Sequence, residues 1–319
     1  MTKHAGFSLV ELLIASTIGL VLTTGLYQLL SISQQNSADS SHHAQIQESA
    51  NDALNMLIKD IAQVGFMADL SQLSLLLGDN VEVQTNADPD CVGGGENNAT
   101  FPSSSNTHFR TLWAMVWSSS SRLDCAGLSP KVGSEVIQIK RLQGPDTSIA
   151  NLQANQFYFV SNINKGIFFN SSETIPTLLG GKYWRYLHRF YYIETESRDG
   201  VSLPVLKVRE LGSVGMVEAS YVDGIEQIAF SFGIDSNNDG NVDGYLATSG
   251  MSSLQWDSQR ILAVTIYVVA RALEKDEALK FNKSFKVSEL PVTGYSDGYR
   301  RFLASTTIKI ENPILRGDL

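Results

Sequence analysis

Three groups of residues in this chain have types and spacings that can do chemistry. The first is a lone carboxylate: Glu11 is the only charge in an apolar run from Phe7 to Ile32. Left inside a membrane it costs on the order of 2–3 kcal/mol, so it calls for a partner. The second is the stretch Asp235-Ser236-Asn237-Asn238-Asp239-Gly240-Asn241-Val242-Asp243. Its oxygen-bearing side chains fall at loop positions one, three, five and nine, with glycine at six, which is the start of a calcium loop. Asp235, Asn237, Asp239 and Asp243 would offer side-chain oxygens, and Asn241 a backbone carbonyl. Leu246 stands where an EF-hand has its bidentate glutamate, and a strand pattern precedes the loop. Calcium (Ca2+) here therefore needs water or a ligand from elsewhere, with weak affinity of order 10⁻⁴–10⁻³ M. The same residues also suit an Asn-Asp-Gly hairpin turn. The third group is Cys91 and Cys125, the two cysteines of the chain. No Gly-x-Ser-x-Gly, His-Glu-x-x-His or Cys-x-x-Cys occurs, and no carboxylate spacing marks a catalytic pair, so nothing points to an enzyme.

The element that must position Glu11 is the apolar run itself. Its 26 residues make a helix of ~39 Å at ~1.5 Å per residue, enough to cross a ~30 Å hydrocarbon core. A polar leader, Met1 to Gly6, precedes it, with Lys3 as its one cation besides the amino terminus. In a secretory signal peptide the small residues follow the apolar run; here Gly6 comes before it. Gly6, then Phe7, then a glutamate at the fifth position after the cut resembles the class III signal of type IV prepilins. The resemblance implies that a prepilin peptidase cuts between Gly6 and Phe7 and methylates the new Phe7 amine. It also implies that Glu11 pairs with the Phe7 amine of a neighbouring subunit as a filament assembles. An ordinary signal anchor carrying a stray glutamate is the plainer reading of the same run.

The chain has 319 residues, 43% hydrophobic and 18% charged, which suits a folded head with a sizeable core. A formal charge of −9 argues against nucleic-acid binding through a basic surface. Both cysteines lie on the side that the anchor would place outside the cytoplasm, where a disulfide is favoured. That bond would close a loop of roughly 35 residues and contribute about 3–4 kcal/mol on the chain-entropy model. Two free buried thiols are the alternative.

Past the anchor the pattern becomes amphipathic. Ile46, Ala50, Ala53, Leu54, Leu57, Ile58, Ile61 and Val64 recur at spacings of three and four, with Glu48, Asp52 and Asp60 among the residues between them. No proline occurs before Pro89, so one helix over 7–65 is expected, with 7–32 apolar, 33–65 amphipathic and Gly65 at its end. His42 and His43 are adjacent on that helix and point in different directions, so they read as solvated surface rather than a metal site. Residues 66–133 read as a loop-rich insertion, broken by Gly93-Gly94-Gly95 and Ser118 to Ser121, with an apolar island from Phe109 to Trp117.

From Glu135 the pattern turns to strands: Glu135–Arg141, Gln156–Val160, Lys182–Glu194, Val205–Leu211 and Ile228–Phe232. Lys182–Glu194 is rich in aromatic and basic residues. It reads either as a strand whose arginines lie over aromatic surface or as a platform for single-stranded DNA, and the absence of any fold-specific motif favours the strand. Arg260–Arg271 is nearly continuous and β-branched, as a central strand buried on both faces would be. Phe302 to Ile310 alternates and closes the sheet. Glu274–Lys286 is polar and reads as a solvated connection with room for a short helix.

Leu57-Ile58-Lys59-Asp60-Ile61-Ala62-Gln63-Val64-Gly65-Phe66, the strand at Ile225–Phe232, the Asp-Gly-rich loop, the strand ending Val-Ala-Arg and the final Arg300-Arg301-Phe302 are similar to PilW-type minor pilins. The resemblance implies an α+β, type IV pilin-like fold: a leader at 1–6, a long helix at 7–65, and a mainly antiparallel β-rich head at 66–319. It implies a minor pilin that enters the filament or its priming or tip complex. Its partners would then be other pilins through the helix, the prepilin peptidase, and the inner membrane before assembly. A type II secretion pseudopilin has the same N-terminus, and a pilus-borne adhesin or DNA-binding subunit is a further alternative.

Overall fold

A computed structural model of the chain describes residues 8–88, 90–103, 108–121, 123, 128–198, 200–212, 215–258, 260–276, 279, 281–288 and 293–313. The chain forms two compact units, Met1–Gln45 and Ile46–Leu319, and helix α1 (Leu9–Ala62) contributes to both.

From Leu9 to Ile32, within the first unit, α1 is apolar with Glu11 as its one charge. Leu9, Leu20, Val21, Tyr27 and Leu30 are among many large side chains left exposed on it. Its hydroxyls are satisfied within the helix: Thr17 Oγ1 donates to the Ile14 carbonyl at 2.8 Å, and Thr23 and Thr24 donate to the Gly19 and Leu20 carbonyls at 2.7 Å. Returning the hydroxyl to the helix's own backbone lets these residues sit in an apolar surround without an unmet donor.

In the second unit the rest of α1 packs on sheet. Ile46, Ala50, Ala53, Leu54, Leu57, Ile61 and Val64 are buried as their spacing predicts, and Ile58 is half-buried. The helix stops at Ala62 rather than Gly65. Gly65 lies just beyond, at φ +73°, and its N–H donates to the Lys140 carbonyl at 3.3 Å. A Cβ there would come within 2.9 Å of the Asn312 carbonyl oxygen, so the C-terminal segment needs glycine to pass this close. The same segment caps the helix, since Glu311 N–H donates to the Ala62 carbonyl at 2.8 Å.

The larger sheet holds β1 (Val81–Val83), β2 (Leu112–Val116), β3 (Glu135–Thr147), β4 (Phe157–Ser161), β5 (Gly166–Asn170), β6 (Lys182–Arg198), β7 (Val201–Gly212) and β8 (Gly215–Asp223). Their order is β1-β5-β4-β6-β3-β2, and β7 joins the second half of β6 and carries β8. All pairs are antiparallel except β1 with β5. A second sheet has the order β10-β9-β11-β14, from β9 (Ile225–Ile234), β10 (Gly244–Ala247), β11 (Ile261–Arg271) and β14 (Arg301–Lys309). As expected, β11 is central and buried on both faces. The main core lies where α1 meets both sheets, through Leu57, Ile61, Ile139, Tyr191, Phe230, Phe232, Val264 and Ile266 among others.

Two expectations change. The polar stretch Glu274–Lys286 contains a strand, β12 (Phe281–Phe285), paired with β13 (Thr293–Asp297), and not a short helix. Phe285 packs on the small cluster of Ala229, Val269 and Val287, an anchor that composition does not reveal. Among the described residues of the 66–133 region there are two strands, and its loops are tied down: Asn97, Asn98 and Thr100 are fully buried. Gly95, at φ +124°, sits where a Cβ would collide with the Arg110 guanidinium, which gives the glycine run a packing reason.

Candidate functional site

Glu11 lies in the first turn of α1, and the turn is closed locally. The Ser8 N–H donates to Glu11 Oε2 at 3.0 Å, the Val10 N–H to Ser8 Oγ at 3.2 Å, and the Leu12 N–H to the Ser8 carbonyl at 3.2 Å. Ser8-Leu9-Val10-Glu11 is thus a capping box, with serine at the N-cap and glutamate three residues on. Its sequence signal is Ser-x-x-Glu ahead of an apolar run. Gly6 and Phe7 lie outside the described residues. So the carboxylate is held at the N-terminal end of the helix by its own backbone, where the helix dipole also favours a negative group.

The loop after β9 is the second candidate. Asp235 is buried, and its carboxylate accepts N–H bonds from Asn238 at 2.6 Å, Asp239 at 3.2 Å and Gly240 at 2.9 Å. Asn237 Oδ1 accepts from Asp239 N–H, and Asp239 Oδ1 from Asn241 N–H. Asp243 Oδ2 accepts from the hydroxyl and N–H of Ser236 and from the Asn237 N–H. Those bonds, the Ser236 hydroxyl first, hold the Asp243 carboxyl below its usual range. Asn237 Nδ2 stands 3.2 Å from both Asp239 Oδ2 and Asp243 Oδ1, so an amide donor lies between the two carboxylates. Among the described residues no group of three or more His, Cys, Asp or Glu side chains is arranged to hold a metal ion. The loop's donor set is therefore turned mainly to its own backbone.

Cys91 is fully buried, and no cysteine among the described residues is free; Cys125 lies outside them. In the aromatic-basic strand β6, Tyr183, Tyr186, Phe190, Tyr191 and Tyr192 are buried. Arg185 and Arg189 both pair with Glu210, and Arg189 pairs also with Asp60. These arginines serve the fold, as the strand reading expects.

Asp60, in sequence only a polar residue between apolar ones, is the keystone of the helix–sheet junction. Arg141 Nε and Nη2 donate to its Oδ1 at 3.2 and 2.7 Å, and Arg189 Nη1 and Tyr191 Oη donate to its Oδ2 at 2.8 and 2.5 Å. Burial pushes the Asp60 carboxyl up, and Arg189, Arg141 and the Tyr191 hydroxyl outweigh that and hold it below its usual value. Asp60 raises Arg189 in turn and, with burial, moves Tyr191 well above an ordinary phenol. Four bonds fill the four lone-pair sites of this carboxylate.

Two family models match the chain. The prokaryotic N-terminal methylation motif matches residues 1–27, and the type IV pilus-assembly protein W family, PilW, matches residues 190–312. No curated protein and no solved structure matches it. The first match covers the helix start that holds Glu11, and the second runs from β6 through β14. With its long N-terminal helix and mostly antiparallel sheet, the chain is similar to type IV pilus-assembly proteins of the PilW family over residues 190–312 and carries the N-terminal methylation motif over residues 1–27.

Proposed function

We propose that the protein is a minor pilin, cut between Gly6 and Phe7 and methylated at Phe7, that helps to build a type IV pilus. The observation that carries this reading is the first unit of α1, where a run long and apolar enough to cross a membrane leaves its large side chains without partners. In the inner membrane those side chains meet lipid, with the head in the periplasm. On assembly into an extracellular filament they meet the helices of other pilins, the packing of one apolar surface replacing the other. Glu11 then exchanges its local bond to the Ser8 N–H for the Phe7 ammonium of a neighbouring subunit. Inside an apolar filament core an unpaired charge costs several kcal/mol, so the pairing selects the register of the incoming helix.

The test is incorporation into filaments of a strain carrying only the variant. Glu11→Ala and Glu11→Gln should leave the protein in the membrane and strongly reduce its share of sheared pili. Ser8→Ala removes one bond of the cap and keeps the carboxylate, so it should incorporate nearly as wild type. Equal incorporation of all three variants would rule out the pairing role.

Two further elements belong to this reading. Cys91 would pair with Cys125 in the periplasm and tie the loop-rich region to the buried face it covers. Calcium would displace the Asn237 amide from between Asp239 and Asp243 and hold the loop with water completing its shell.

A further inference from the structure

At the end of α1 in the head lies an open groove of about 550 Å³, lined by Lys59, Gln63, Arg141, Arg189, Glu311 and Asn312 among others. Three of these are cations and one is an acid. The balance of hydrogen bonds is more telling than the charges. Asp60, behind the groove, has every acceptor site filled by Arg141, Arg189 and Tyr191. The donors are not used up. Arg189 spends Nε and Nη2 on Glu210 and one Nη1 hydrogen on Asp60, leaving two of its five N–H groups. Its side chain stays 25% exposed. Arg141 spends four, on Asp60, Gln63 and the Leu142 carbonyl, leaving one. Lys59 is exposed and has no hydrogen bond or ion pair among the described residues. The groove therefore offers spare N–H donors on the anchored Arg189 and Arg141 beside an exposed Lys59, with Glu311 and the amide oxygens of Gln63 and Asn312 as acceptors.

We propose that this groove is an anion-binding site that takes a carboxylate, with Lys59 as its mobile arm and Arg189 as its fixed one. The arginine is already locked by Asp60 and Glu210, so it gives up little side-chain freedom when a ligand arrives. Lys59 closes over the second oxygen from the last turn of the helix, where a cation also complements the helix dipole. The carboxylate comes either from an acidic side chain of a neighbouring pilin or from a small free polyanion. The first source rests on the filament reading above, and the second does not.

The experiment uses the full-length protein in detergent, titrated with citrate and with inorganic phosphate and followed by thermal unfolding. At citrate tenfold above Kd, the melting temperature should rise by about 3 °C for a head of this size. Lys59→Glu should abolish the rise, while Lys182→Glu, the same charge change on a different exposed lysine, should keep it. A rise of equal size in all three proteins is a bulk salt effect and overturns the site, as does no rise in any. The second arm is filament incorporation of Lys59→Glu. Lost incorporation identifies a pilin carboxylate as the ligand. Normal incorporation together with lost citrate binding identifies a free anion.

Discussion

One helix carries two kinds of leucine. In the first unit Leu20 is 72% exposed and Leu30 62%, whereas in the second Leu54 is 8% exposed and Leu57 fully buried. The residue type is the same, so the difference lies in the company it keeps. Around Leu57 the other helix face is polar, and the apolar stripe faces a sheet of the same chain. Around Leu20 no polar face exists, and a helix that is apolar all round is completed by surroundings outside its own chain. The head covers its own apolar stripe and holds a buried ion network, while the apolar run of the N-terminal unit leaves its large side chains exposed.

The sharpest way to break that contrast is to open the head's own ion network. Asp60→Ala leaves Arg141 buried without its carboxylate and should lower the head's stability by about 3–5 kcal/mol, read by chemical denaturation in detergent. A loss within 0.5 kcal/mol would mean the network is incidental. Because the Asp60 pKa is held down, its contribution is present above the unfolded carboxyl value near 3.8 and is lost as pH falls below it. Wild-type stability should therefore drop in acid more steeply than that of Asp60→Asn.

A direct comparison of the two units comes next. Leu57→Ala should cost about 2–5 kcal/mol of head stability, as for other buried leucines, whereas Leu20→Ala should stay within about 0.5 kcal/mol. Similar losses for both would show that the N-terminal unit has packing of its own.

Glu135 sharpens the picture of a self-contained head. It is buried at the start of β3, accepts the Phe230 N–H at 2.9 Å and the Thr248 hydroxyl, and burial pushes its carboxyl up to about 8. Below about pH 4.5 both folded and unfolded forms hold the proton. Between there and about pH 8 the unfolded form releases it first, so this group removes stability as pH rises. Glu135→Gln should flatten the pH dependence across that window; an unchanged slope would show that Glu135 titrates normally.

What the sequence allowed follows from how far apart the partners are. The helix, the central strand β11 and the alternating strand β9 were legible because periodicity is a local signal. The N-terminal methylation motif was legible because its signal is contained in a few adjacent residues. Asp60 was not, since its partners Arg141 and Arg189 lie about 80 and 130 residues away in sequence. Glu135, Lys140 and Arg141 lie in a stretch legible only as a strand, and all three are buried, each met by groups from other elements. Phe285 of β12 was hidden for the same reason, as its polar neighbours set the local pattern.

The smallest effect belongs to the Asp235–Asp243 loop. Millimolar calcium at tenfold its Kd would stabilise the full-length protein by about 1.4 kcal/mol, a shift of a few degrees over EDTA, and Asp239→Ala should remove the shift. No shift in the wild type leaves the loop as a turn held by its own backbone.

The central claim, that the apolar unit is matured to join other pilins, is tested most directly by the mass of the protein recovered from sheared filaments. The account predicts a chain that begins at Phe7, lacks Met1 to Gly6 and carries one methyl group on the new amine. Filament-borne protein that still begins at Met1 would contradict it.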